Sequence, residues 1–410
     1  MTFRYLLAWA GLLLMFFGGR LTTTDVAAQY QVAESVFGTR QLFTSEYGWH
    51  VSGVRSDEYV PHAPGYSAIL LPAAGGGLLL GLEAGKVLAA LTNAAMSLLL
   101  AAGFKKLAEG FMGPVQLNRF LAVLIGAMAL VYGRMPYDIT SATALALWGA
   151  WLIHSGRSFP AGVLFGAALF VRPDVIVLLP VYWTDRKPLE NFLFLAAGAL
   201  PFILGIFAYN HYRFGSILVD GHGQDPAIAI DMYGRGIPGL LFSPGKGLFW
   251  YAPLTIIAIF HCGDWRFWSP FAFSLVLHGF LHDWTGGTGW GPRFLFPVLP
   301  ILFMPLMRSG AGGKLFNVLA LLSIVVSLAA CITDTNSVER SLGRDDFDSQ
   351  SRQEVIWSPD RSPLLHTLTD PHITSPDLLG YHAAGVPGSI AQLLAGGGAL
   401  LWAWKRREKS

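Results

Sequence analysis

Long apolar runs recur from one end of this chain to the other, and nothing else constrains its fold as strongly. They lie at about 3–19, 86–103, 118–134, 137–155, 160–171, 174–183, 191–209, 249–262, 267–282, 294–307, 314–332 and 386–404. A free-standing membrane helix needs roughly 20 apolar residues. Several of these runs are shorter, and a many-helix bundle can shelter short or broken helices. Only 13% of the 410 residues are charged, against about 25% in soluble domains, and mean hydropathy is +0.48. The pattern predicts an all-α polytopic membrane protein with about 12 transmembrane helices (roughly 11–13). The first run has the look of a signal-peptide core. Gly18-Gly19-Arg20 is a poor cleavage context, so it reads as a retained anchor. The net charge of +2 points to no nucleic acid, and no basic, aromatic-laced patch supports one. The only cysteines, Cys262 and Cys331, fall at opposite membrane faces in this topology, which predicts no disulfide.

The run 66–82 contains Pro72 and Gly75-Gly76-Gly77, which argue against a straight spanning helix. If it lies along the outer surface and 160–183 makes two short spans, both termini are cytoplasmic. Lys105, Lys106, Arg119, Arg157, Arg186, Lys187, Arg266, Arg308, Lys314 and the tail KRREK then face the cytoplasm, as the charge bias of short loops requires. The competing arrangement, with 66–82 spanning and 160–183 a single span, puts Lys105, Lys106, Arg119 and Arg157 outside. The first topology organises the chain as a membrane module over 1–332 with outer loops 20–85 and 210–248. A small polar outer segment follows at 333–385, and a last helix with a basic tail at 386–410.

Polar residues are sparse at mid-membrane depth, Asn93, His154 and His278 being the main ones. A transporter normally concentrates ionisable groups there. The reactive side chains instead collect at the outer surface, where they suit a substrate with a lipid tail and a polar head. TTTDVAAQYQVAES opens a helix, with Thr24 or Asp25 as its N-cap. Alternatively Asp25 is a general base at the water–lipid boundary, taking a proton from an acceptor hydroxyl. Asp57 and Glu58 are a second acidic candidate, or a solvated loop pair. In VRPDV, Arg172 either pairs with an acid such as Asp174 or clamps a phosphate. YNHYRFGS supplies Tyr212 and Arg213. In SPGKG, a glycine-flanked turn lets backbone amides and Lys246 approach an anion, or is a tight surface turn with a snorkelling lysine. HDWTGGTGWGPRF holds His282, Trp284, Trp290 and Arg293. Its tryptophans are interface anchors or stack on a sugar ring. His222 and His282 have no recognised ligand spacing, so no metal site is assigned and no cofactor is expected.

The order of these segments resembles the GT-C superfamily of polytopic glycosyltransferases. The likeness is to its bacterial dolichyl-phosphate-mannose-transferase-like and lipopolysaccharide-core-transferase-like branch. The matching features are TTTDVAAQY just after the first helix, HAPGYSAILLP, the RPD pair, YNHYRFGS, LLFSPGKGLFWYAP, GGTGWGPRFLFPVLP and WSPDRSPLL. The resemblance implies juxtamembrane helices in the first loop and a polyprenyl-phosphate-linked sugar donor. It also implies inverting transfer of a hexose or pentose at the outer face of the bacterial cytoplasmic membrane. The family's catalytic first-loop acid falls on Asp25. Many relatives carry Asp-Glu there, whereas this chain has Asp25-Val26, so Asp25 acts alone unless Asp57 or Glu58 assists. On this reading Arg172, Lys246, Arg293 and Arg213 meet the donor phosphate. Tyr212, His222, His282, Trp284 and Trp290 shape the sugar and acceptor site, and the acceptor is a lipid, glycan or protein. The rival classes are a lipid-carrier flippase or other transporter, and a non-catalytic envelope assembly protein with the same fold.

Overall fold

A computed structural model describes residues 2–47, 51–54, 59–221, 230–231, 233–342, 355–369 and 376–405. The helices are α1 (Thr2–Met15), α2 (Thr24–Ser35), α3 (Pro64–Leu80), α4 (Leu82–Met112), α5 (Leu117–Gly126), α6 (Ala129–Arg134), α7 (Asp138–His154) and α8 (Ser158–Val171). A 3-10 helix, Pro173–Tyr182, leads to α9 (Pro188–Phe214), α10 (Gly236–Phe242), α11 (Leu248–Tyr251), α12 (Thr255–His261) and α13 (Trp265–Gly279). A second 3-10 helix, Arg293–Val298, precedes α14 (Leu299–Leu302), α15 (Gly313–Ile332), α16 (Thr335–Ser341), α17 (Pro363–Thr369) and α18 (Leu379–Lys405). Among the described residues, β structure is limited to isolated bridges. This is an all-α polytopic membrane fold. Each apolar run coincides with a helix or with a chain of short ones. Among the described residues, four helices, α4, α9, α15 and α18, are long and apolar enough to cross a membrane. Prolines also stand inside helical segments at Pro180, Pro270 and Pro297, and the long helix α18 is kinked at Ala384–Gly385, before Pro387.

The contacts divide the chain into two compact units. One comprises Met1–Gly18, Phe104–Arg134 and Ala229–Ser410; the other comprises Gly19–Gly103 and Met135–Ile228. In the second unit, the run that begins at Tyr66 lies in α3, which ends at Leu80 and turns into α4 at Gly81, whose φ is +98°. Tyr30 of α2 lies against this turn: a Cβ on Gly77 or Gly85 would come within 2.4 or 2.0 Å of its hydroxyl, while Cβ atoms on Gly75 and Gly76 would meet Phe37 at 3.3 Å and Leu88 at 2.4 Å. Helices α8 and α9 pack backbone to backbone in the same way. A Cβ on Gly162 would meet the Leu195 carbonyl at 2.1 Å, and one on Gly198 the Phe159 carbonyl at 2.3 Å. Small residues let membrane helices approach this closely.

In the first unit, Arg134 is a buried hub. Its guanidinium donates to Asp377 Oδ2 (3.1 Å) and to the carbonyls of Asp377 (3.0 Å), Thr333 (2.9 Å), Phe16 (3.3 Å) and Ala330 (3.3 Å). It thereby ties the ends of α1, α6 and α15 to the start of α18. Gly18, from the FGGR stretch, lies against it: a Cβ there would sit 3.0 Å from Asp377 Oδ2. The late polar segment packs within the same unit. Ser362 Oγ donates to the Pro244 carbonyl (2.8 Å) and the Gly245 amide to the Ile356 carbonyl (3.0 Å). WSPDRSPLL thus rests on the SPGKG turn.

Candidate active site

The N-cap of α2 is neither Thr24 nor Asp25 but Thr23. Its backbone is extended (φ −114°, ψ 146°), and its Oγ1 accepts from the Val26 amide at 3.2 Å. Asp25 stands in the first helical turn, where a negative charge is stabilised by the helix dipole by about 0.3–1 kcal/mol. Its carboxylate is 39% exposed and faces His62, 24% exposed, with Oδ1 4.0 Å from Nε2. Sequence reasoning gives His62 no role. The signal that could have found it is Pro61-His62-Ala63-Pro64, a histidine held between prolines at the end of the loop that Asp25 begins.

That strut is anchored by Arg213. The buried guanidinium donates to the Val60 carbonyl (2.6 Å) and to Asn210 Oδ1 (3.1 Å), and it stacks 3.9 Å from the centre of the Tyr209 ring. The Arg213 carbonyl in turn accepts from the Val54 amide (2.9 Å). Arg213, expected at the donor phosphate, is therefore a brace between α9 and the first loop. Burial and the Val60 and Asn210 bonds leave it little room for a ligand.

Arg172 caps the C-terminus of α8. It makes a bidentate pair with Asp174 (3.0 and 2.7 Å) and a third bond to Asp138 Oδ1 (3.0 Å) at the start of α7. The acid-pairing alternative is the one the geometry shows: two carboxylates share one guanidinium. Asp138 went unnoticed in the sequence because it lies 34 residues away. Beside this cluster, Gly65 of the HAPGY stretch presses onto α8. A Cβ there would lie 2.5 Å from the Phe170 carbonyl carbon and oxygen.

Tyr212 borders a hollow of about 380 Å³ between α2, α3, α8 and α9, walled by Val32, Ala68, Leu71, Phe170 and Ala208 among others. Phe43 meets Tyr212 edge-on at 5.5 Å.

In the other unit, Lys246 corrects its own expectation. Its ammonium is 1% exposed and bonds Glu339 Oε1 (3.0 Å), Oε2 (3.1 Å) and the Gly289 carbonyl, while Glu339 is fully buried. All three donors of the ammonium are used inside the protein, so SPGKG is a closed clip rather than an anion-binding turn. Trp284 and Trp290 are buried as well, so neither offers an open face to a sugar. Trp284 fills the space that Cβ atoms on Gly236 and Gly239 would need, at 2.4 and 2.3 Å. Trp290 packs edge-on to Tyr251 (5.1 Å), and its carbonyl accepts from Tyr132 (2.5 Å). Arg293, at the start of its 3-10 helix, is partly exposed, as is His282. Asp57, Glu58 and His222 lie outside the described residues. Among the described residues, no group of three or more His, Cys, Asp or Glu side chains is placed to hold a metal ion.

The described fold has counterparts among solved structures. Solved structures with this fold include ArnT from Cupriavidus metallidurans, in the apo state (TM-score 0.50) and bound to undecaprenyl phosphate (TM-score 0.53). Each is 13% identical to this chain. The match covers 96% and 97% of this chain and 73% and 74% of ArnT. At that identity the likeness is one of fold. No family of known proteins and no curated protein matches the sequence.

Proposed function

We propose that this protein is a membrane glycosyltransferase. It moves a hexose or pentose from a polyprenyl-phosphate donor to an envelope acceptor, lipid, glycan or protein, with inversion at the anomeric carbon. In this reading the reaction takes place at the outer face of the bacterial cytoplasmic membrane, with both termini in the cytoplasm. The observation that carries it is the placement of Asp25: a partly exposed carboxylate in the first turn after the first membrane helix, in a helix whose cap is supplied by another residue. The fold shared with a protein that binds undecaprenyl phosphate supports a polyprenyl-linked substrate. The apolar hollow beside Tyr212 supports a substrate with a hydrocarbon chain.

Asp25 accepts the acceptor's hydroxyl proton as the sugar–phosphate bond breaks. Of the four cations expected at the phosphate, Arg293 is the one this reading keeps, to stabilise the charge that grows on the leaving phosphate. Arg172 could join it only if the donor displaced Asp138 or Asp174. A flippase has less support, because the three polar residues expected at mid-membrane depth each bond a backbone carbonyl. Asn93 donates to the Met135 carbonyl, His154 Nε2 to that of Val181 (2.7 Å) and His278 Nδ1 to that of Ser274 (2.9 Å). The test is to incubate membranes with a panel of radiolabelled polyprenyl-phosphate sugars and to compare wild type with Asp25→Asn. Transfer by the wild type alone is expected, and full activity of the variant would remove Asp25 as the base. Arg293→Ala should weaken donor binding about tenfold or more, as loss of a charged hydrogen-bond donor does. Unchanged affinity would take it out of the phosphate site.

A further inference from the structure

The geometry points to His62 as the proton-accepting partner of Asp25: an imidazole that takes over the proton the carboxylate receives and passes it to water. This rests on the transferase reading above. A base that keeps its proton is spent after one turnover, and this chain has Val26 where a second acid would otherwise stand beside Asp25. His62 is a titratable side chain that the structure brings to the carboxylate, Nε2 to Oδ1 at 4.0 Å. That gap exceeds hydrogen-bond length. A small side-chain rotation or one bridging water closes it, and catalytic hydrogen bonds commonly tighten only when substrate is bound.

The backbone holds His62 for this task. Pro61 and Pro64 fix φ on either side of it. The Val60 carbonyl is held by Arg213 (2.6 Å), and Pro64 starts α3, which Gly65 seats directly on the α8 backbone. Little chain entropy is left to lose when the imidazole meets its partner. Both side chains are partly exposed, so water can carry the proton away. Among the described residues, the titratable and charged groups on the elements packed around the strut include Glu34 on α2, Tyr66 on α3, His211 and Arg213 on α9, and the Arg172–Asp138–Asp174 cluster at the end of α8.

In the step, the acceptor oxygen bonds to the anomeric carbon while the carbon–oxygen bond to phosphate breaks and its electron pair leaves on the phosphate. The acceptor's proton moves to Asp25, then to Nε2 of neutral His62, and from the imidazolium to water. His62 acts through Asp25 and is a positioning and relay residue.

The experiment uses the full-length protein in membranes, with the donor on which the wild type is active. His62→Ala should lower kcat about tenfold or more with the donor KM unchanged. It should also lose the fall in rate at low pH that protonation of the imidazole imposes, and recover rate when imidazole is added; His62→Gln should behave alike without rescue. A second measurement needs no turnover: carbethoxylation of His62 by diethyl pyrocarbonate, read by peptide mass across pH. A neighbouring carboxylate stabilises the imidazolium, so Asp25→Asn should move the half-reaction pH of His62 downward. If His62→Ala does not accumulate, that shift decides. A half-reaction pH that does not move overturns the pairing. An unchanged rate and pH profile in the His62 variants, with Asp25→Asn inactive, overturns the relay and leaves the transferase reading standing. A wild type that transfers no sugar from any donor overturns both.

Discussion

The first loop and the SPGKG turn each bring an acid to a base from a distant part of the chain, and the outcomes are opposite. Lys246 and Glu339 meet in full burial, and every ammonium donor is consumed by the protein. Asp25 and His62 meet half in water, 4.0 Å apart, on a helix turn and a proline strut. The closed pair is what a structural clip looks like, because buried charges survive only when matched and hydrogen-bonded. The open pair retains the solvent access and the slack that proton transfer needs. The largest effect expected of any substitution follows from that contrast. Asp25→Asn should reduce transfer by about 10²- to 10⁴-fold, the usual contribution of a positioned base, with no loss of thermal stability beyond the dipole interaction. A variant that both transfers poorly and melts early would place Asp25 on the structural side of the comparison.

Glu339→Ala should show the reverse signature. It strands a buried ammonium, which costs about 3–5 kcal/mol, so the protein should unfold at lower temperature in detergent. Replacing both partners at once, Lys246→Met with Glu339→Leu, should recover much of that loss, since removing a buried pair together is far cheaper than breaking it. If Glu339→Ala left stability intact and weakened donor binding instead, Lys246 would belong with the substrate after all.

The same contrast marks how much of the molecule could be read in advance. The apolar runs translate directly into helices because burial in lipid or in a bundle requires every backbone group to be paired within its own segment. Gly75–Gly77 stand inside α3 without ending it, and of the three it is Gly77 that lies against the Tyr30 hydroxyl. The site was legible in residue type but not in partnership. SPGKG looks like an anion turn until Glu339 arrives from 93 residues away. Arg172 looks like a phosphate clamp until Asp138 does the same. Such pairings are set by helix packing, which local sequence does not encode. At Asp25 the neighbouring helix cap is a local feature and so within reach of sequence reasoning. Even there the cap falls on Thr23, one residue before the first expected candidate.

Two smaller substitutions test whether the open pair depends on its frame. Gly65→Ala would drive a methyl group into the Phe170–Val171 backbone, with 2.5 Å available. Overpacking of this kind costs about 1–3 kcal/mol. Because Gly65 is three residues from His62, transfer should fall along with stability. Activity that survives while the melting temperature drops would show that the strut tolerates movement of α3.

Thr23→Ala should have the smallest effect and the most discriminating one. It removes the side chain that holds the Val26 amide, at a cost of about 0.5–2 kcal/mol. If Asp25 is a base carried on a well-capped helix, Thr23→Ala lowers the melting temperature and leaves the rate per folded molecule close to that of the wild type. If Asp25 instead serves the helix end, its carboxylate will be drawn to the amides that Thr23 vacates. The single change then costs little stability, while Thr23→Ala combined with Asp25→Ala, which removes both capping oxygens, costs far more than the sum of the two. A melting-temperature cycle over these three variants measures that coupling directly. Additive losses assign Asp25 to chemistry, and a large coupling returns it to the cap.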